Sequence, residues 1–286
     1  VTQAIVSGIL LGGVYGLFAM GFSLAFGVMR IVNFAHGEMV MLGMYLGFFA
    51  FTRLGIDPLI TLFIAPLVLA ALGAVVYIAV YRRYAGSATL QQLLAAIALA
   101  LILQSLAQLA FSPETRALQG AWGAKYLLIG SVFVSYAQVG AFLVAVICVG
   151  LTELVLQRTR WGQAVRAVAD DPEAAEIVGQ NAHWVNVTAF AMATGMAGVA
   201  GAVLVTYYPV NPTVGFALMP IALIATVLGG LGSVGGAFAG GLICGVIQQL
   251  TSALWTPALQ DLPLYGLLLI FLAVRPYGLF GRKAAH

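Results

Sequence analysis

The constraint that most narrows what this chain can fold into is a succession of long apolar stretches, interrupted only by single charges or by clusters of Pro and Gly. A helix crossing a bilayer needs about 20 such residues, because the hydrocarbon core is about 30 Å thick and a helix rises about 1.5 Å per residue. Cut at those interruptions, the 286 residues predict spans near 3–29, 34–52, 58–81, 89–111, 134–156, 184–208, 217–232, 234–252 and 262–275. Hydrophobic residues make up 62% of the chain and charged residues 7%, whereas a soluble fold carries about 25% charged residues. The expected fold is therefore all-α, a polytopic helical membrane protein of about eight to nine transmembrane segments, with the lipid bilayer as its solvent. A single transmembrane domain is expected over residues 1–286, with one cytoplasmic loop at 157–181. The run Gly229, Gly230, Leu231, Gly232, Ser233, Val234, Gly235, Gly236 breaks the seventh and eighth pieces into a hairpin, either fully spanning or re-entrant.

The same composition excludes several classes. A net charge of +3 in such a chain reports membrane orientation and is no signal for nucleic acid. Cys148 and Cys244 lie inside apolar runs and read as core residues. The apolar stretch at the N-terminus has no basic region before it and runs to about residue 29, so a retained span is expected in place of a cleaved signal. No G-x-x-x-x-G-K-[ST] phosphate loop is present, and no catalysis, cofactor or metal is expected. Gly230, Gly232 and Gly235 spell G-x-G-x-x-G, but no strand pattern precedes them and no acidic residue follows until Asp261. Close helix approach or an unwound turn is the physical reading; the alternative is that Ser233 and the exposed backbone there line a polar path.

Basic residues fix orientation because positively charged loops stay in the cytoplasm. With the N-terminus outside, Arg30, Arg82, Arg83, Arg158, Arg160, Arg166, Arg275, Arg282 and Lys283 fall inside, against Arg53, Arg116 and Lys125 outside. The expected topology is N-out and C-in. The stretch from Ser112 to Phe133, with Trp122 and Tyr126, is then the largest external loop.

On this topology the most polar stretch, 157–181, is cytoplasmic; it holds Arg158, Arg160, Arg166, Asp170, Asp171, Glu173 and Glu176. Asp171 before Pro172 predicts a helix start, with Glu173 near the positive end of the helix dipole. Ala174, Ala175, Ile177 and Val178 supply a small apolar surface and Gly179 a helix end. An ordinary solvated loop is the alternative to a helix built for docking.

Asn33, His36 and Glu38 lie next to membrane depth, where ionisable groups are costly unless they meet water, a partner or backbone. They either cap the second span or line a polar break in the bundle near its cytoplasmic side. Spacing of two does not put His36 and Glu38 on one helix face, which argues against a metal pair. Tyr207, Tyr208, Pro209, Asn211 and Pro212 form a polar break at the outer end of the sixth span, read as an interfacial turn or as a contact for an entering solute. Tyr15, among Gly12, Gly13 and Gly16, is either a pore residue or part of a packing face.

Three sets of residues carry a family resemblance. Glu173, Ala174, Ala175 and then Gly179 resemble the EAA-x-x-x-G signature with which permeases of ATP-binding-cassette importers present a coupling helix, although the later Ile-x-Leu-Pro element is replaced by Ala182, His183, Trp184 and Val185. Tyr15, Gly16, Leu17, Ala19, Gly21, Phe22, Ser23 and Gly27, followed by Asn33, Phe34, Ala35, His36, Gly37 and Glu38, resemble permeases of the LivH type. The glycine run at 229–236 also falls where that family has it. Such subunits are one half of branched-chain amino-acid importers, and similar ones serve urea and short amides.

The resemblance implies partners that composition does not show: two cytoplasmic ATP-binding-cassette ATPases, a second permease of similar fold and an external solute-binding protein, in a bacterial inner membrane. Arg166, Asp170, Asp171, Pro172, Glu173, Ala174, Ala175 and Gly179 would couple to the ATPase. Tyr15, Asn33, His36, Glu38 and Ser233 would line the pathway. An ion-coupled secondary transporter is the competing class, but it usually needs intramembrane charges, and only Glu38 qualifies. A membrane scaffold is a third reading, against which the coupling signature argues.

Overall fold

In lipid every backbone polar group must be satisfied within the protein, so an apolar run that spans has to become a helix. The computed structural model describes residues 1–84, 87–118, 126–129, 132–275 and 278–279. Its long helices are α1 (Thr2–Met29), α2 (His36–Leu54), α3 (Pro58–Tyr84), α4 (Thr89–Phe111) and α5 (Tyr136–Arg158), then, after two short ones, α8 (Ala182–Leu204), α9 (Val214–Gly229), α10 (Val234–Leu254) and α11 (Leu262–Val274). Between α5 and α8 lie α6 (Arg160–Asp170) and α7 (Pro172–Ile177). Among the described residues, seven helical segments are long and apolar enough to cross a membrane; α2 and the 16-residue α9 complete the bundle.

The hydropathy pattern gave no sign of one element. Strands β1 (Tyr126–Ile129) and β2 (Val132–Ser135) form an antiparallel hairpin, with Tyr126 opposite Ser135, which begins in the stretch expected to be an external loop and takes the first two residues of the expected span 134–156. Trp122, Lys125, Arg282 and Lys283 lie outside the described residues.

Burial sorts the helices into centre and sheath. In α1 and α8, 83% of the most apolar window is buried inside the protein, against 17% in α4 and 22% in α5. The two central helices thus spend their apolar surface on other helices, and the sheath spends its own on lipid. Leu101, Ile102, Leu106 and Leu109 of α4 and Leu143, Ile147, Leu151 and Leu154 of α5 are exposed accordingly.

Glycine lets the central helices approach closely. On α1, Gly8, Gly12 and Gly16 form a stripe at helical spacing that meets Gly241 and Gly245 of α10, running antiparallel to it. A Cβ added at Gly241 would lie 2.2 Å from the Gly16 nitrogen, and one at Gly245 would lie 2.4 Å from the Gly12 Cα. The α8 helix packs in the same way: Gly198 meets Ala65 of α3 and also Gly43 of α2, and Gly73 of α3 meets Thr194. Between α9 and α10 the chain turns at Gly230 and Gly232, whose φ values of 102° and 84° only glycine adopts readily. The G-x-G-x-x-G string is therefore a helical hairpin turn, with Gly229 packed on Gly236.

Adding one methyl group at the crossing is expected to be expensive. Gly241→Ala should lower stability by at least about 1–3 kcal/mol through overpacking. Gly150→Ala, on α5 with nothing within 4 Å of the new methyl, should be neutral or stabilise by up to about 1 kcal/mol. Thermal unfolding of the two variants in detergent separates these outcomes.

Candidate functional site

The chain breaks its helical pattern where α1 gives way to α2. Arg30 ends α1 in the left-handed region at φ 54°, and Ile31 to Asn33 then run back into the bundle without helical structure. His36 opens α2 stacked on Phe18, with ring centroids 5.1 Å apart and planes 1° from parallel. Phe18 lies eleven residues before the end of α1, roughly 16 Å along its axis at 1.5 Å per residue, so α2 starts near the middle of an apolar slab about 30 Å thick.

Asn33, His36 and Glu38 come together at this break and are at most 1% exposed. The Asn33 Oδ1 accepts the Ala35 N–H at 3.0 Å and also the Tyr81 hydroxyl. Tyr81 comes from the π-helical turn Tyr77–Tyr81 within α3, a widening of the helix often found at functional positions. Neither His36 nor Glu38 caps α2 through its side chain. The Glu38 carboxylate lies instead over the first turn of α9, where a Cβ added at Gly215 would sit 2.7 Å from Oε2. Among the described residues, both Glu38 oxygens, both His36 ring nitrogens and Asn33 Nδ2 have no hydrogen-bond partner. Deep burial without partners is costly, so this is where the bundle stores its least satisfied polar groups.

The other two pathway candidates lie elsewhere. The Tyr15 hydroxyl donates to Gln248 Oε1 at 2.7 Å, and Gln248 Nε2 donates to Asp261 Oδ1 at 2.6 Å, a chain from α1 through α10 to the start of α11. Burial first, and then the Asp261 carboxylate, push the Tyr208 phenol above its usual pKa, so Tyr208 stands near the same chain. Sequence reasoning missed Gln248 and Asp261; their only signal is a polar Gln pair inside the expected span 234–252 and a lone acidic residue just before the last one. Ser233 caps α10 by accepting the Gly236 N–H at 3.2 Å, while its carbonyl accepts the Ser23 hydroxyl at 3.2 Å.

Two short helices carry the polar segment. Asp171 Oδ1 accepts the N–H groups of Glu173 and Ala174, each at 3.0 Å, with Pro172 at the first helical position. Gly179, at φ 87°, ends the turn. The small apolar surface differs from the expected one. Ala175 is 3% exposed and faces the protein itself, while Ile177 is 86% and Val178 73% exposed. The reason is helical phase: with α7 resting on α8, the position two residues before Ile177 must turn inward. Val165 and Val168 bury the inner face of α6, Trp161 Nε1 donates to Thr188 Oγ1 at 2.8 Å, and Arg166 donates to the Leu156 carbonyl, so Arg166 serves this chain's own fold. Asp170 and Glu173 stay exposed. Arg30 Nη2 donates to the carbonyls of Ala169 at 3.2 Å and Asp170 at 3.5 Å, placing a cation at the negative end of α6. The same residue that begins the mid-membrane break thus holds the base of α7.

The family described as the permease component of branched-chain amino acid transport systems matches residues 4–273. The chain is 32% identical over 294 residues to the high-affinity branched-chain amino acid transport system permease protein BraD of Pseudomonas aeruginosa, covering 98% of this chain and 95% of that protein. It is 33% identical, with the same coverage, to the corresponding permease protein LivH of Escherichia coli. A probable branched-chain amino acid transport permease protein LivH of Methanocaldococcus jannaschii is 27% identical over 93% of this chain and 88% of its own length. No solved structure matches.

Two substitutions should separate the break from the surface helix. Asn33→Ala leaves the Tyr81 hydroxyl and the Ala35 N–H unpaired in the core and should cost about 1–3 kcal/mol, read as a lower midpoint of thermal unfolding. Asp171→Ala should cost about 1 kcal/mol locally. It should speed amide exchange at Glu173 and Ala174 and leave the unfolding midpoint of the bundle unchanged.

Proposed function

This chain belongs to the family of permease components of branched-chain amino acid transport systems, a family of multi-pass membrane proteins that are not enzymes, and from that premise we propose that it carries branched-chain amino acids as the permease subunit of an ATP-driven importer. The match over nearly its whole length is the observation that carries this reading. In it, the chain supplies half of the translocation path, a second permease of similar fold supplies the other half, two cytoplasmic ATPases bind from one side and a solute-binding protein docks from the other. The basic-residue bias supports the N-terminus outside and the segment 157–181 in the cytoplasm.

The ATPase contact is the tip of α7. Ala174, Ile177 and Val178 are its exposed apolar residues, Asp171, Pro172 and Gly179 set its two ends, and Asp170, Glu173 and Arg166 surround it. Ala175 acts from beneath, by seating the helix on α8. Apolar side chains held out from a capped helix suit insertion into a groove, with the charges as a rim. Motion of α7 reaches the membrane interior through Arg30, because its guanidinium grips the end of α6 while its backbone leads into Asn33, His36 and Glu38. Tyr15 contributes at the other end of the path through Gln248 and Asp261, and Ser233 by holding the α9–α10 turn against α1.

Reconstituted with its partners in vesicles, the complex should import leucine with ATP and binding protein, without a proton or sodium gradient. Uptake driven by a gradient alone would overturn the assignment. Ile177→Asp should release the ATPase or reduce uptake about tenfold or more, the scale on which a central interface anchor acts. Arg30→Ala should leave the ATPase bound and hydrolysing while uptake falls, and Arg158→Ala should change little. Normal uptake by both Ile177→Asp and Arg30→Ala would show that α7 is only a solvated loop.

A further inference from the structure

The break at Asn33 has a counterpart. Val32, Asn33, Phe34, Ala35, His36, Gly37 and Val210, Asn211, Pro212, Thr213, Val214, Gly215 share the spacing V-N-x-x-x-G, and the likeness extends to the hydrogen bonds. Each Asn accepts through Oδ1 the N–H two residues ahead, at 3.0 Å in both cases. Each Asn carbonyl then accepts the N–H three residues ahead, at 3.1 Å and 3.3 Å, and that third residue opens a helix, α2 in one case and α9 in the other.

The surrounding helices repeat as well. The α1 helix packs on α10 as α8 packs on α3; α1 meets α9 as α8 meets α2; α4 flanks α2 as α11 flanks α9. Within each half the helices run alternately up and down, and the halves run in opposite senses: α1 and α9 are parallel because the glycine contacts make both antiparallel to α10, and α2 is parallel to α8 by the order of their own glycine contacts. The chain is therefore built from two inverted copies, α1 to α4 and α8 to α11, joined by α5, α6 and α7. The copies touch at their shared motif. A Cβ at Gly37 would lie 2.2 Å from the Gly215 carbonyl oxygen, and one at Gly215 would lie 2.7 Å from the Gly37 oxygen.

This junction gathers charge of both signs at one depth. The Asn carbonyls take the His36 and Val214 N–H groups, which leaves those of Gly37 and Glu38 in α2 and of Gly215 and Phe216 in α9 without a backbone partner, and each helix presents its positive end there. After the motif the copies diverge: the first continues with Glu38, fully buried with both carboxylate oxygens unpaired, and the second with Phe216, 60% exposed. Donors suited to a carboxylate thus stand beside an acceptor suited to an ammonium. In membrane proteins built from inverted repeats, half-helix ends meeting at the midplane are where substrates bind.

We propose that the junction of the two V-N-x-x-x-G breaks is a mid-membrane site for the head group of a zwitterionic α-amino acid. The N–H groups of Gly37, Glu38, Gly215 and Phe216 take the carboxylate, and the Glu38 side chain takes the ammonium. The site opens when Gly37 and Gly215 part. The break at Val210 to Gly215 is its approach from the Arg116 side, where Val210 and Arg116 exchange backbone hydrogen bonds at 2.8 Å. The break at Arg30 to Gly37 is its exit toward α7. A site that reads only the head group treats leucine, isoleucine and valine alike. This inference rests on the permease reading and adds a ligand chemistry to it.

The test uses the assembled transporter, with Cys148 and Cys244 replaced by Ala and a single cysteine at the exposed Thr213, labelled by a thiol reagent during turnover with ATP. Leucine is expected to slow labelling about tenfold, the scale of one charge-assisted contact. Leucinamide, which lacks the carboxylate, and 4-methylpentanoate, which lacks the ammonium, are expected to have no effect. Glu38→Gln should abolish the protection with an unchanged unfolding midpoint and unchanged labelling without solute, and Glu38→Asp should restore part of it. Equal protection by all three compounds would overturn the proposal, as would full protection in Glu38→Gln, or loss of protection only in variants that also unfold at lower temperature. Wild-type transporter that imports leucine without any protection at Thr213→Cys would sink the site and leave the permease reading standing. Failure to import any branched-chain amino acid would remove the permease reading itself.

Discussion

Backbone touching backbone at glycine is the contact on which this bundle depends. In lipid the apolar surface of a helix gains little by leaving one hydrocarbon for another, so helices associate through close packing. Gly8, Gly12 and Gly16 against Gly241 and Gly245 bring α1 and α10 nearer than any side chain would allow, and Gly43 with Gly198 does the same for α2 and α8. These crossings let α1 and α8 be enclosed by their neighbours, while α4 and α5 meet the bilayer.

Enclosure in turn makes irregular backbone tolerable at membrane depth. The non-helical residues before α2 would expose unpaired amides if they faced lipid, which hydrocarbon does not permit. Inside the bundle Asn33 turns the chain with its own side chain and holds Tyr81, while His36 lies flat on Phe18. Glu38, with no hydrogen-bond partner among the described residues, is the remaining cost. Stability supplied by the surrounding crossings offsets it, and polar groups retained at such a cost are commonly the functional ones.

The break is also mechanically connected. Arg30 is the last residue before the chain re-enters the bundle, and its guanidinium closes the end of α6, from which Asp171 starts α7. A helix that sits on the surface and a turn near the membrane midplane therefore share one residue.

How much of this the sequence determined by itself follows from the solvent. A bilayer judges each segment by its own length and polarity, so the spans could be read locally: the expected 89–111 is α4 as found, and the expected start of α1 differs by one residue. The Asp171–Pro172 helix start and the turn at Gly179 were equally legible, since a cap and a positive φ involve only neighbours in sequence. Tyr15 was seen among glycines, and Asn33, His36 and Glu38 as polar groups near a break, but their partners were not. Only the tertiary structure decided that Tyr15 reaches Gln248 and Asp261, that Glu38 lies over the first turn of α9, that Ala175 turns inward beneath Ile177, and that β1 pairs with β2. Each of these depends on which helix faces which across long stretches of chain. That choice is made by the fit of small residues between backbones, and an apolar sequence offers many such fits that composition and periodicity cannot tell apart.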